Sequence, residues 1–294
     1  MSPPLLRRRG ETPLYDAVSE SAAEEVIRRY SSSFGLASRL LAEPVRTQVR
    51  NVYALVRIAD EIVDHPDPAL GREPRERMLT WLHEDVAHAL RHGWSSNLVV
   101  HAFARTARAS GIDATLVDPF FASMRMDLDT TTHTPETFAT YVYGSAEVVG
   151  LMCLRVFLAE RGPEAAARDY DRLTPGARRL GAAFQKVNFL RDLAEDHDTL
   201  GRGYFPDVDV EAFSDAERDR LLDDLEADLA AADAVIGDLP PSSRRAVRVA
   251  HATFAELAAR LRATPAAEIR RTRVRVPDLV KARLVARSIY GGRP

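Results

Sequence analysis

The sequence holds a single cysteine, Cys153, and only two lysines, Lys186 and Lys281. One cysteine excludes an intramolecular disulfide and a cysteine-based zinc site. The scarcity of lysine leaves 38 arginines, so cationic contacts to a ligand are made by a planar, permanently charged fork. Excess charge of one sign is also missing. The formal net charge is −3, which argues against a dedicated nucleic-acid binder. The longest apolar run, Val148 to Leu158, is broken by Arg155 and falls short of the ~20 residues that span a bilayer. No apolar segment follows Arg7-Arg8-Arg9, so no secretory signal is read there and a cytoplasmic location is the simplest expectation. Strand-like alternation bounded by turn pairs is almost absent, and no Asn-Gly or Asp-Gly hairpin pair occurs.

What remains is helix. With 46% hydrophobic and 28% charged residues the composition is that of a globular protein. Residues 1–16, with Pro3, Pro4 and Pro13, read as a disordered leader, and 17–294 as one all-α domain around a central cavity. The apolar spacing predicts helices over 19–30, 32–42, 45–65, 73–92, 96–109, 114–129, 135–160, 164–172, 176–200, 215–237, 240–262 and 277–289. Pro44 and Pro135 stand at helix starts, and Gly201 to Pro206 form a stop and a loop.

Two polar stripes stand out. In the run Tyr53 to Asp64, Tyr53, Arg57, Asp60 or Glu61, and Asp64 recur every three or four residues on one helix face. Leu55, Ile58, Ala59, Ile62 and Val63 surround them with apolar side chains. In the second run Gln185, Asn188, Asp192 and Asp196 step by three, four and four, over an apolar body of Phe184, Val187, Leu190 and Leu193. Paired carboxylates with an arginine suit capture of a hard divalent cation together with an anionic ligand. Spacing alone does not decide. Asp215, Asp219 and Asp223 share it, as do Asp224 and Asp228, among Glu217, Arg218, Arg220 and Glu226, and these read as a solvated, ion-paired face. Amides, arginine and tyrosine on an apolar background set the first two stripes apart, because a buried carboxylate face is costly until cations pair it.

These residues carry a resemblance. Ser31-x-Ser33-Phe34 with Tyr53-Ala-Leu-Val-Arg-x-Ala-Asp-Glu-Ile-Val-Asp64 resembles the first signature of the squalene/phytoene synthase family. Gln185-x-x-Asn-x-Leu-Arg-Asp-x-x-Glu-Asp196 and Gly201-Arg-Gly-Tyr-Phe-Pro206 resemble its second, and Met126-Asp-Leu and Tyr141 to Met152 its central helices. The likeness runs over about residues 28–285. It implies an isoprenoid-synthase helical bundle and head-to-head condensation of two allylic prenyl diphosphates. Asp60, Asp64, Asp192 and Asp196, with Asn188, would hold Mg²⁺, with Mn²⁺ as its substitute. Ser31, Ser33, Tyr53, Arg57, Gln185, Asn188, Arg191 and Arg273 would bind diphosphate oxygens.

Within the family, squalene, hydroxysqualene and dehydrosqualene synthases act on farnesyl diphosphate, and phytoene synthases on geranylgeranyl diphosphate without NADPH. The small residues Gly35, Ala37 and Ser38, together with the two signatures, favour phytoene synthase and carotenoid biosynthesis. Phe34, Phe120, Phe121, Phe138, Phe157 and Phe184 are candidates for tunnel walls. Glu147 stands where family members carry a small residue. The tyrosine expected before Arg273 is replaced around Ala255, Glu256 and Leu257. Lys186 beside the second stripe has no assigned role. Asp127 fits the family pattern, its plainer reading being a helix-end carboxylate. His83, Glu84, His88 and His92 lack a shared metal-binding face and read as solvated helix residues. Hydrophobic substrates imply loose contact with a membrane surface, to which Arg7 to Arg9 add little. A non-catalytic assembly protein of the same fold is the competing class, and it would be expected to lose the four aspartates. Oligomeric state is not legible.

Overall fold

The computed structural model describes residues 13–31, 33–65, 67 and 69–290. The leader expected over 1–16 falls mostly outside them, except that helix α1, Leu14–Tyr30, already contains residues 14–16. Then come α2 (Ser33–Ser38), α3 (Val45–Val63), α4 (Arg72–His92), α5 (Leu98–Ser110) and α6 (Ala114–Asp129). Among the described residues no strand forms, and one isolated bridge joins Thr132 to Gly203. The all-α expectation holds.

Helix boundaries follow local chemistry. Asn97 caps α5 by accepting from the Val99 and Val100 amides, and Gly93 and Gly111 end α4 and α5 with left-handed backbones. Thr134 and Ser214 close capping boxes ahead of α7 (Pro135–Val142) and α11 (Asp215–Ile236).

Four spans differ from the sequence reading. The expected 32–42 helix stops at Ser38. The expected 135–160 helix is interrupted by a π-helical turn, Tyr143–Glu147, before α8, Val148–Leu158. The break expected over 173–175, at Pro175, does not occur, and α9 runs from Pro163 to Arg191. An interior proline costs about 3 kcal/mol, and packing of α9 against α8 and α11 offsets it. Instead the chain breaks at Asp192, and α10 (Leu193–Leu200) follows as a separate piece. The remaining helices are α12 (Pro241–Ala263), the short α13 (Ala266–Ile269) and α14 (Asp278–Tyr290).

Two apolar clusters stabilise the bundle. One joins α3, α4, α5, α6 and α8 around Leu55, Leu79, Phe103, Phe120 and Phe121. The other joins the end of α9, α11, α12 and the 204–213 loop around Leu190, Phe189, Phe205, Leu222 and Leu261. Each fully buried side chain of this size contributes roughly 1.5–3 kcal/mol. The stretch Pro135–Leu158 is long and apolar enough to cross a membrane, yet 61% of its most apolar window is buried against other helices. It is a wall of the bundle.

Candidate active site

A cavity of about 310 Å³ opens between the clusters, with walls from α2, α3, α8, α9, α11 and α12. Along α9 it is lined by Leu173, Gly176, Ala177, Leu180, Gly181, Phe184, Gln185 and Asn188, a single stripe of the helix. At 1.5 Å per residue this stripe is on the order of 22 Å long. The helices beside it approach closely because side chains are missing. A Cβ at Gly181 would stand 2.5 Å from the Ala146 carbonyl oxygen, and one at Gly150 would stand 2.6 Å from that of Ala177.

One end of the cavity is polar. Tyr53 from α3 and Gln185 and Asn188 from α9 are among its lining residues. Neither amide side chain has a partner among the described residues. Burial pushes the Tyr53 phenol up, against a hydrogen bond with Ser31 and the charge of Arg57. Ser31 also accepts from the Gly35 amide at 3.0 Å. The side chains of Ser33 and Phe34 lie outside the described set. Arg57 pairs with Glu61 and lies over the Tyr30 ring at 4.5 Å. Glu61 is thereby occupied, and Asp60 is the carboxylate of that turn left facing Asp64.

The four aspartates are in two states. Asp192 is paired, with Arg273 Nε at 2.8 Å and Arg191 Nε at 2.9 Å; Arg273 also reaches Glu195 at 3.3 Å. Among the described residues Asp60 and Asp196 lack such partners. Burial, with the negative charge of Asp64 beside it, pushes the Asp60 carboxyl up to about 8. Burial and the Asp192 and Asp64 charges push Asp196 up to about 7. The carboxylates of α3 and of the 192–196 segment therefore feel each other although they lie far apart in the chain. Among the described residues no three histidine, cysteine or carboxylate groups form a ready-made metal cage. The donor set nevertheless fits Mg²⁺: hard oxygens, repelling one another, with room for water and phosphate oxygens in the shell.

Behind the aspartates lies a network that the two stripes do not contain. Arg202, side chain 8% exposed, donates to Asp64 Oδ1 at 2.7 Å and to the carbonyls of Asp127 and Val63 at 3.0 and 3.4 Å. Tyr141 and Tyr204 donate to the two Asp127 oxygens at 2.9 and 3.2 Å. Asp127 is buried, and burial pushes it up to about 6 although Arg202 pulls the other way. It stands in the last turn of α6, as the plainer reading has it, and its side chain is a buried acceptor. The signal for this group was present in sequence, as an arginine between two glycines directly after the second stripe.

Other expectations are corrected. Of the five candidate phenylalanines whose side chains are described, Phe157 and Phe184 line the cavity; Phe254, not anticipated, joins them, stacked on Phe184 with 3.8 Å between centroids. Phe120 and Phe121 are core, and Phe138 packs on Phe189 and Phe205. Ala37 and Ser38 line the cavity, whereas Gly35 lines a neighbouring surface pocket. Lys186 has a role: it bonds Asp224 and Asp228 at 2.5 and 2.7 Å and ties α9 to α11. Asp228, 1% exposed, is not on a solvated face as its spacing suggested. His83, read as solvated, stacks on Phe121 and bonds Asp118 at 2.9 Å. Glu147 pairs with Arg178 at 2.5 Å, so its charge is met outside the cavity lining.

The sequence model of the squalene/phytoene synthase family matches residues 27–279. The chain belongs to that family. A presqualene diphosphate synthase of Rhodopseudomonas palustris is 30% identical over 192 residues, covering 65% of this chain and 63% of that one. A phytoene synthase of Pseudescherichia vulneris is 26% identical over 274 residues, covering 86% and 84%. The matched part spans 32% of a bifunctional lycopene cyclase/phytoene synthase of Blakeslea trispora and 44% of a chloroplastic phytoene synthase of Zea mays. Among solved structures, a dehydrosqualene synthase in complex with a ligand superposes with a TM-score of 0.76 at 20% identity, covering 93% of this chain and 96% of that chain. A squalene synthase from Alicyclobacillus acidocaldarius gives 0.70 at 20% identity, with 86% and 96% covered. At such identity these two show the fold, the isoprenoid-synthase bundle expected from sequence.

Proposed function

We propose that this family member is a Mg²⁺-dependent prenyltransferase that joins two geranylgeranyl diphosphates head to head, through a cyclopropylcarbinyl diphosphate, to phytoene. The observation that carries the reading is the convergence of two polar stripes on one end of a long apolar cavity. A diphosphate is a poor leaving group until its charge is met, and the apolar wall then protects the allylic cation from water.

Asp60, Asp64, Asn188, Asp192 and Asp196 would hold Mg²⁺, or Mn²⁺ in its place, which neutralises charge on the leaving diphosphate. Ser31, Ser33, Tyr53, Arg57, Gln185 and Asn188 orient phosphate oxygens. Arg191 and Arg273, which pair with Asp192 here, become available to phosphate once a cation takes that carboxylate. The cation left at C1 of one substrate is attacked by the 2,3-alkene of the other. A second ionisation rearranges the cyclopropane to the 1,1′-linked chain, and a proton passes to the released diphosphate, so NADPH is not needed.

Chain length supports the C20 substrate. An extended isoprene unit measures about 5 Å, close to the pitch of one helical turn, so a stripe on the order of 22 Å holds four units. We place residues 17–294 in one synthase domain, acting in the cytoplasm with peripheral contact to the inner membrane face. The test is to assay the purified protein with Mg²⁺ and either C15 or C20 diphosphate, with and without NADPH. C40 hydrocarbon from C20 without NADPH is expected. C30 product from C15 and nothing from C20 would overturn the phytoene reading.

A further inference from the structure

The outer face of α4 carries donors that the reading above leaves unused. His88 and His92 stand one helical turn apart there, both exposed, with ring centroids 4.4 Å from each other. Neither has a hydrogen bond or an ion pair among the described residues. Glu84, one turn earlier and exposed, is equally unpaired, and adds a negative charge without completing a three-ligand group. His83 stacks on Phe121 instead. The expected lack of a shared face therefore holds for His83 and fails for His88 and His92.

The turn that carries the two rings is held from behind. Val86 and Ala89 on its inner side are fully buried. Arg108 of α5 donates to the carbonyls of Leu90 and Arg91 at 2.8 and 3.2 Å, groups that a helix end otherwise leaves unmet. Gly93 then closes α4 in a left-handed conformation, its amide donating to the Ala89 carbonyl. Two imidazoles four residues apart on a fixed helix form a chelate, because one ion reaches a nitrogen of each without any change of backbone.

We propose that His88 and His92 together bind one divalent transition-metal ion of the class of Ni²⁺, Cu²⁺ or Zn²⁺. Donor chemistry separates this site from the aspartate cluster: imidazole nitrogen suits these ions, whereas carboxylate oxygen suits Mg²⁺. Two protein nitrogens do not complete the shell, so the ion keeps water in its remaining positions. It ties the last two turns of α4 together. None of the residues lining the cavity belongs to α4, so the ion leaves the catalytic end untouched. The site is independent of the head-to-head reading above.

The two tryptophans of the sequence report on the site. Trp81 lies two turns before His88 on α4, Trp94 lies two residues after His92, and both are more than half exposed. The experiment titrates the untagged full chain, in excess Mg²⁺, with Ni²⁺ by calorimetry and with Cu²⁺ by quenching of tryptophan fluorescence. Wild type is compared with His88→Gln and His92→Gln. One equivalent of either ion is expected to bind wild type, and its unfolding midpoint rises with Ni²⁺. In each variant the affinity falls at least about tenfold, since even an outer partner of a metal ligand is worth that much. Turnover with Mg²⁺ stays within about twofold, because both substitutions are on the solvated face. Absence of a one-equivalent site in wild type overturns the proposal. Wild-type affinity in either variant overturns it as well, because the two rings then do not share the ion.

Discussion

Arg202 Nη1 lies 2.7 Å from Asp64 Oδ1, joining residues 138 apart in sequence at the inner edge of the aspartate cluster. Arg202 is buried and its other bonds go to backbone carbonyls and Tyr204, so it is an internal counter-cation for Asp64 and Asp127. Removing one partner of such a pair leaves a buried charge unmet. Arg202→Met is therefore expected to cost about 3–5 kcal/mol of stability. Thermal and urea unfolding of the variant would check it; an unchanged midpoint would refute the structural role.

Asp60 and Asp192 are expected to respond differently to the same change. In Asp60→Asn, a carboxylate repelled by Asp64 becomes neutral, so the metal-free protein holds or gains stability at pH 8. In Asp192→Asn, two arginines lose their partner and stability falls. Both variants lose turnover by at least about 10²–10³-fold, the scale of losing one group that meets transition-state charge. Calorimetry beside a product assay separates the two effects, and activity retained in either variant refutes its place at the metal.

The pH dependence follows from Asp127, whose carboxyl is raised to about 6 by burial. A raised folded value means that the folded state binds the proton more tightly than the unfolded chain does. Its contribution is present below the unfolded value of 3.8 and is lost as pH rises through about 6. Asp127→Asn carries no such proton. The melting temperature of wild type relative to Asp127→Asn is expected to fall between pH 5 and 7.5. A difference that stays constant across that range would contradict the assignment.

Cys153 lines the cavity, and burial pushes its thiol up to about 12. The thiolate is the reactive form, so the native protein is expected to resist iodoacetamide at pH 8 while the urea-unfolded chain reacts readily. Rapid labelling of the native protein would show that the cavity admits water and small polar solutes freely.

The stripe on α3 was legible because helical spacing alone aligns Tyr53, Arg57, Asp60 and Asp64. The choice between Asp60 and Glu61 was not, since it depends on Arg57 taking Glu61. The α9 stripe was legible up to Asn188. The break at Asp192 was hidden, because the residues on either side keep the helical pattern without a pause. Arg202 and Tyr204 were visible only as part of the second signature, and Asp127 only as a match to the family pattern; their joining was not legible because it lies in contacts across 75 residues or more. Lys186 was unreadable for the same reason: its partner Asp228 has the spacing of a surface residue and the burial of a core one.

The uninterrupted course of α9 past Pro175 has a consequence for variation in chains of this design. Because the cavity is laid along one continuous helix, its depth is counted in helical turns. A turn of about 5.4 Å and an isoprene unit of about 5 Å are nearly commensurate. Inserting or deleting one turn below Gln185 moves the far wall by about one prenyl unit while returning every lining residue to the same face. Substrate length in such a scaffold changes by whole units, in register with the wall that measures it.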